Sequence, residues 1–309
     1  MKRTLIILLI ALLLITACKK QEIPRENGSI QVFFCTKDNC EQAMITAISS
    51  AQDVKCAFYD LDLVNLTNVL KAKNADILVD EDNYFGFGKN ITSIGLMHNK
   101  FCILDNKIVT TGSMNPTNNC AYKNNNNLVI IESPTLAKNY LAEFDEIKYA
   151  KSSRRTKTTE LIYNGFIMHN YFCPEDHCKQ NVLNELKTAN KSIYFMTFSF
   201  TDDEIGDFLI ENRKELNIKG IFEKRQNGRG SEYKNMQVYN MNVTLDTNPA
   251  TMHHKVFIID NKTVVLGSYN PTQNADTRND ENILIIHDKN ITMQFVEEFE
   301  SLFHQKTKD

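Results

Sequence analysis

Residues Met97 to Thr117 read MHNKFCILDNKIVTTGSMNPT, and residues Met252 to Thr272 read MHHKVFIIDNKTVVLGSYNPT. Of the 21 aligned positions 13 are identical, and the shared polar residues are ones that are costly to keep by accident. Each copy places a His, a Lys two residues later, an Asp five after that, and a Gly-Ser-x-Asn step at one fixed distance. A chain that carries such a stretch twice is built from two like units, and the repeat sets the architecture.

Working outward, the same order of elements surrounds both copies. Ile30 to Cys35 and Val54 to Tyr59 have strand character, with a helical spacing from Glu41 to Ala51 between them. In the second half His169 to Phe172, Asn181 to Ala189 and Ser192 to Phe200 repeat the sequence strand, helix, strand. Thr201-Asp-Asp-Glu204 reads as a capping box opening a helix from Glu204 to Asn212, and Ile218 to Phe222 and Val243 to Leu245 as short strands. An apolar strand and an acidic amphipathic helix follow each motif: Leu128–Ile131 with Leu136–Ile147, and Ile283–Ile286 with Met293–Phe303. Alternating strands and helices in both halves predict an α/β fold. The units are expected at 30–150 and 160–309, joined by a linker at 151–159 within the polar, basic run KYAKSSRRTKTT. That run is either solvated or a rim that attracts phosphate, and so is the basic loop Lys224 to Arg229.

Composition fits an ordinary globular protein: 309 residues, 42% apolar and 24% charged. A net charge of −3 argues against a dedicated duplex-DNA binder while leaving room for a locally basic cleft. Residues 1–18 read as a lipoprotein signal. Lys2 and Arg3 precede an apolar run from Leu5 to Ile15, too short to span a bilayer, and Ile15-Thr-Ala-Cys18 resembles a lipobox in which Cys18 is lipidated. Residues 19–29 then form a tether, and the body of the protein is expected outside the cytoplasm, anchored at a bacterial membrane.

Export favours disulfides. Cys35/Cys40 and Cys173/Cys178 share one spacing and belong to the repeat, so two local disulfides are expected. A zinc set of Cys173, Cys178, His169 and His177 is the weaker alternative, because the first unit has no matching histidines. Cys56, Cys102 and Cys120 lie in apolar or small-residue surroundings and read as buried thiols.

On a strand, residues i and i+2 share a face, so His98 projects with Lys100 and His253 with Lys255. An imidazole beside an ammonium is a costly pair to bury, and an anion between them removes the conflict. Ser113, Asn115, Ser268 and Asn270 add neutral donors on loops opened by Gly112 and Gly267. A phosphodiester needs a nucleophile on one side, an acid for the leaving oxygen on the other and positive donors around its equatorial oxygens. Two histidines, two lysines and two asparagines supply that set, with no carboxylate cluster of the kind that binds a metal and no cofactor implied. Asp105 and Asp260 fall on the other strand face and read as structural supports, and His254 as packing or as a support behind the site.

These residues identify the chain as resembling the phospholipase D superfamily, whose signature H-x-K-x4-D-x6-G-S-x-N both copies match at every fixed position. The resemblance runs from about Ile30 to Phe303. It implies two similar α/β lobes of mixed sheets flanked by helices, related by a pseudo-two-fold axis, with both motifs at one active site between them. It also implies metal-independent phosphodiester cleavage through a phosphohistidine. The family usually places an acidic residue downstream of the motif to hold the histidine ring. Glu281, 28 residues after His253, fits that place, while Asn126 stands 28 residues after His98. Paired within each copy, these residues give His98 an amide partner, as in the relatives that cleave tyrosyl-DNA bonds, and make it the nucleophile. His253, with the carboxylate, becomes the general acid.

Membrane anchoring makes a phospholipid the expected substrate. A nuclease acting on DNA or RNA is the alternative, with phosphatidyl transfer or a non-catalytic phosphate-binding lipoprotein behind it. One chain holds both motifs, so no oligomer is required.

Overall fold

The structure, a computed structural model, describes residues 22–151 and 154–305. The leader at 1–18 and Cys18 lie outside the described residues. The first half runs β1 (Arg25–Glu26), β2 (Ile30–Phe34), α1 (Cys40–Ser50), β3 (Val54–Phe58), α2 (Val64–Ala72), β4 (Asp76–Asp80), β5 (Lys89–Ile91), β6 (Lys100–Leu104), β7 (Ile108–Gly112), α3 (Asn118–Tyr122), β8 (Asn127–Glu132) and α4 (Pro134–Tyr149). The second runs β9 (Glu160–Tyr163), β10 (Phe166–Cys173), α5 (Cys178–Leu186), β11 (Ser192–Thr197), α6 (Asp203–Asn212), β12 (Asn217–Phe222), α7 (Glu232–Val238), β13 (Asn242–Leu245), β14 (Lys255–Ile259), β15 (Thr263–Gly267), α8 (Gln273–Thr277), β16 (Glu281–Ile286) and α9 (Lys289–Phe303).

Each half builds a mixed sheet around its motif. Strands β2-β8-β7-β6-β3-β4-β5 make one, and β1-β9-β10-β16-β15-β14-β11-β12-β13 the other. Beyond the lysine that opens each, the motif strands β6 and β14 are apolar because both of their faces are covered. Phe101 and Ile103 of β6 point into a shared central core with Val256 and Ile258 of β14. Cys102 and Leu104 face α1 and α2, while Phe257 and Ile259 face α5, α6 and α7. The amphipathic helices α4 and α9 lie in that central layer through Tyr140, Phe144, Phe295 and Phe299, so the two sheets sandwich them. The order of layers is helices, sheet, two helices, sheet, helices, and the lobes share one core. Among the described residues no helix is long and apolar enough to cross a membrane.

Short-range chemistry fixes the ends of the motifs. Asp105-Asn106 and Asp260-Asn261 both sit at positive φ, between 51° and 55°, in the tight turns β6–β7 and β14–β15 that favour such residues. Thr117 and Thr272, the last motif residues, cap α3 and α8 by accepting from Cys120 N and Ala275 N.

Several expectations change. Arg25–Glu26, expected in the tether, is a strand paired in parallel with β9 of the second lobe. Part of the linker also docks on that lobe: Thr156 N and Oγ1 donate to Asp176, and Asn170 N donates to Thr159 O. The α6 cap is Asp202 rather than Thr201, since Asp202 Oδ1 accepts from Ile205 N at 3.1 Å. Cys56 and Cys102 are not thiols. They stand opposite each other in the β3–β6 ladder, with Cα atoms 4.1 Å apart, and form a disulfide. Disulfides also join Cys35 to Cys40 and Cys173 to Cys178, which takes both thiolates out of the zinc set. Cys120 is free and buried.

Candidate active site

The two motifs meet edge to edge. Met97 bridges to Asp280 and Met252 to Asn125, so the residue before each motif histidine pairs with a residue of the other lobe. His98 N donates to Asp280 O at 3.0 Å, and His253 N to Asn125 O at 2.9 Å. The residue after each acceptor therefore falls beside the opposite histidine. His98 Nδ1 lies 2.8 Å from Glu281 Oε2, and His253 Nδ1 lies 2.9 Å from Asn126 Oδ1. This corrects the pairing expected within each copy: the carboxylate belongs to His98 and the amide to His253. Glu281 and Asn126 are wholly buried, and each histidine is only 7% exposed.

The Gly-Ser steps hold these acceptors. Ser113 Oγ donates to Asn126 Oδ1 at 3.3 Å, and Ser268 hydrogen-bonds Glu281. The Ser113 carbonyl lies 3.1 Å from His253 Nδ1, and the Ser268 backbone meets His98 in the same way. With acceptors at both Nδ1 atoms, each ring turns Nε2 toward the cleft. Gly112 and Gly267 take φ of 138° and 144°, and a Cβ at either would lie 2.4 or 2.2 Å from the carbonyl of Asn127 or Asn282, so only glycine fits. Lys100 Nζ donates to His98 O at 2.5 Å and Lys255 Nζ to His253 O at 2.9 Å. An aromatic ring walls each pair. Tyr59 lies 4.9 Å from His98 and 5.2 Å from Lys100 Nζ, and Phe198 lies 4.8 Å from His253 and 4.7 Å from Lys255 Nζ. Asn115 is buried and its Oδ1 lacks a partner among the described residues; Asn270 Oδ1 accepts from Ser199 N at 3.4 Å.

Burial and like charge dominate the electrostatics. Both imidazoles are pushed well below the ordinary histidine range, first by burial and then by Lys100 and Lys255. Burial lowers Lys100 to about 8, and burial together with Lys100 lowers Lys255 well below its usual range. Glu281 is raised to about 7 by burial, against the pull of Lys100. Four basic groups buried together hold one another's pKa values down, a conflict that an anion between them would relieve.

A family model described as cardiolipin synthase, phospholipase D-like domain, matches residues 25–148 and 182–303. The chain belongs to the phospholipase D superfamily. A phospholipase D of Rickettsia prowazekii is 32% identical over 139 residues, covering 44% of this chain and 66% of its own. A mitochondrial cardiolipin hydrolase of Chlamydomonas reinhardtii is 28% identical over 141 residues, covering 42% of this chain and 63% of its own. Each of these matches spans about one lobe here and just under two thirds of the relative. Among solved structures, phosphatidylserine synthase of Haemophilus influenzae is similar over 90% of this chain and 86% of its own, with a TM-score of 0.66 at 12% identity. That likeness is one of fold.

Of the expected phospholipase D site residues, His98, His253, Lys100, Lys255, Asn126 and Glu281 come together, with Ser113 and Ser268 behind the acceptors. Asp105 and Asp260 stand apart from the histidines. Asp105 Oδ1 accepts from Gln52 N and Asp53 N, and Asp260 from Asn190, Lys191 and Ser192 N, which ties each motif hairpin to the start of the strand beside it, β3 or β11. His254, together with residues outside the expected set, also braces the site. Asn282 Nδ2 donates to Asn99 Oδ1 at 2.7 Å, Asn127 Nδ2 lies 3.0 Å from His254 Nδ1, and Glu143 and Glu298 hold Asn99 and His254. A signal for them existed: 99/254, 127/282 and 143/298 are all 155 residues apart, the same offset as His98 and His253. Tyr59 and Phe198 gave no such signal, because their offset differs.

Proposed function

We propose that the protein is a metal-independent phosphodiesterase that removes phospholipid head groups, with His98 as nucleophile and His253 as general acid. The crossed pairing of His98 with Glu281 and His253 with Asn126 carries the assignment. His98 keeps the role expected from its sequence, on different grounds. When Nε2 of His98 attacks phosphorus, the ring becomes a phosphorylated imidazolium with its proton on Nδ1. A carboxylate at Nδ1 stabilises that cation, as it does in a hydrolase triad. The phosphate of the substrate offsets the charge of Lys100 and Lys255, so that His253 takes up a proton on Nε2 as the substrate binds. The N–P bond forms as the bond to the leaving oxygen breaks, and His253 gives that Nε2 proton to the oxygen. An amide supports His253 without strengthening its hold on the proton. Water then attacks phosphorus and passes a proton to His253, and the N–P electron pair returns to His98. Lys100, Lys255, Asn115 and Asn270 meet the equatorial oxygens.

The lipid reading draws on the names of the relatives and on apolar residues around the first lobe. Val64, Phe85 and Ile94 are 68%, 82% and 85% exposed. Ile94 stands beside the cleft, its carbonyl bonded to Arg278, three residues before Glu281. Such residues suit a membrane surface, and so would the proposed export and lipid anchor at Cys18. Incorporation of labelled fatty acid, abolished by Cys18→Ala, tests the anchor.

Turnover of bis(p-nitrophenyl) phosphate in chelator, lost in His98→Ala and His253→Ala, tests the reaction. Loss of activity on chelation would refute the metal-free mechanism. A phosphoenzyme on His98 that accumulates in His253→Ala supports the two roles, and one on His253 reverses them. Phosphatidylglycerol vesicles assayed beside single-stranded DNA and RNA test the substrate, and cleavage of nucleic acid alone would replace the lipid reading with a nuclease.

A further inference from the structure

Two short loops away from the cleft are built alike. Cys35 and Cys40 close one, with Lys37 at its third position, and Cys173 and Cys178 close the other, with Glu175 at the same place. Each loop begins beside a histidine's acceptor. Cys35 N donates to the Asn126 carbonyl at 3.1 Å, and Cys173 stands opposite Glu281 in the β10–β16 register. Each also sends its third side chain to a helix of the other lobe. Lys37 Nζ lies 2.5 Å from Glu298 Oε2 on α9, and Glu175 hydrogen-bonds Glu143 on α4. Those carboxyls hold the residue next to a motif histidine: Glu298 lies 3.4 Å from His254 Nε2, and Glu143 accepts from Asn99 Nδ2 at 3.0 Å. The partners of loop 35–40 thus converge on His253, and those of loop 173–178 converge on His98.

We propose that the two disulfide loops are positioning devices for the histidine of the opposite lobe, Lys37 acting through Glu298 and His254 on His253, and Glu175 through Glu143 and Asn99 on His98. The inference rests on the phosphodiesterase reading given above. Its force comes from the steep dependence of rate on geometry, since a misplacement of about 1 Å can cost roughly 100-fold. A disulfide restricts the backbone of each loop and so narrows the positions from which the two props, Lys37 and Glu175, reach their partners. The props differ in chemistry. One is an ammonium on a buried carboxylate. The other is a carboxyl on a carboxyl, a contact favoured because burial and the surrounding Glu175, Asp280 and Glu146 push the Glu143 pKa well above the usual carboxylate range.

Leaving groups separate the two props. Bis(p-nitrophenyl) phosphate releases a good leaving group that needs little help from an acid, while diphenyl phosphate needs more, and both need the nucleophile. In single-turnover measurements Lys37→Met should slow diphenyl phosphate about tenfold and bis(p-nitrophenyl) phosphate by less than about twofold. Glu175→Ala should slow both by the same factor. Lys37→Arg and Glu175→Gln should restore the rates, and the paired changes Cys35→Ala/Cys40→Ala and Cys173→Ala/Cys178→Ala should each reproduce the pattern of their own loop. Equal losses on both substrates in Lys37→Met, or wild-type rates in both Lys37→Met and Glu175→Ala, with folding matched by circular dichroism, would overturn the proposal. Wild-type protein that cleaves neither ester, or that is matched by His98→Ala, would overturn the phosphodiesterase reading instead.

Discussion

His98 of the first lobe and Glu281 of the second share a hydrogen bond of 2.8 Å, wholly screened from solvent on the carboxylate side. The charge-assisted bond spans the lobe interface, so the strongest support for one motif comes from the copy that does not contain it. Replacing Glu281 by Gln keeps an acceptor for Nδ1–H and removes the charge. The expected loss is about 1.5–3 kcal/mol of transition-state stabilisation, roughly 10- to 150-fold in kcat/KM. Asn126→Ala removes a neutral bond, with Ser113 O remaining, and should cost about tenfold or less. Steady-state kinetics of the two variants side by side check the order, and a larger loss in Asn126→Ala would contradict it.

Both imidazoles are held well below the usual histidine range by burial and two ammonium groups, so in the free protein each should take up its proton at a lower pH than an exposed histidine does. An anion in the cleft offsets the charge of Lys100 and Lys255, which removes two of the causes and raises both pKa values. Adding inorganic phosphate or sulfate should therefore move the ring resonances of His98 and His253 to higher titration midpoints in nuclear magnetic resonance spectra. Midpoints unchanged by the anion would remove it from the space between the lysines.

The Cys56–Cys102 disulfide closes a loop with a sequence separation of 46 and ties β3 to the strand that carries Lys100. Replacing both residues by Ala should lower the free energy of unfolding by about 2–4 kcal/mol. Urea denaturation of the paired variant, without reductant, measures it.

Asp105 is held below the usual carboxylate range by the Asp53 and Gln52 N–H groups. A depressed folded pKa contributes stability that is present above the unfolded value and lost as pH falls through the folded one. Asp105→Ala should therefore lower the melting temperature at pH 7, with a gap that narrows as the wild type is acidified below pH 4. Activity at pH 7 should be unchanged, because the residue touches the hairpin and not the histidines.

The architecture was legible because two like motifs with flanking strands and helices leave few other folds, and the Cys35/Cys40 and Cys173/Cys178 pairs were readable from a shared spacing. The crossed partners were not. Glu281 follows His253 by 28 residues, yet the register that matters is set by Met97 against Asp280 and Met252 against Asn125, contacts between segments remote in sequence. Cys56 and Cys102 belong to neighbouring strands, a relation that no local spacing announces. Arg25–Glu26 has a composition suited to a tether, and only the open edge of β9 makes it a strand. Tyr59 and Phe198 lie beyond the strictly repeated stretch, so their shared role emerges only when the rings are seen over the lysines.

The crossing also bears on symmetry. Two copies of the first lobe, assembled about a true two-fold axis, would set an amide beside both histidines. Two copies of the second would set a carboxylate beside both. One histidine of each kind requires unlike halves, and a single chain that carries both lobes supplies them.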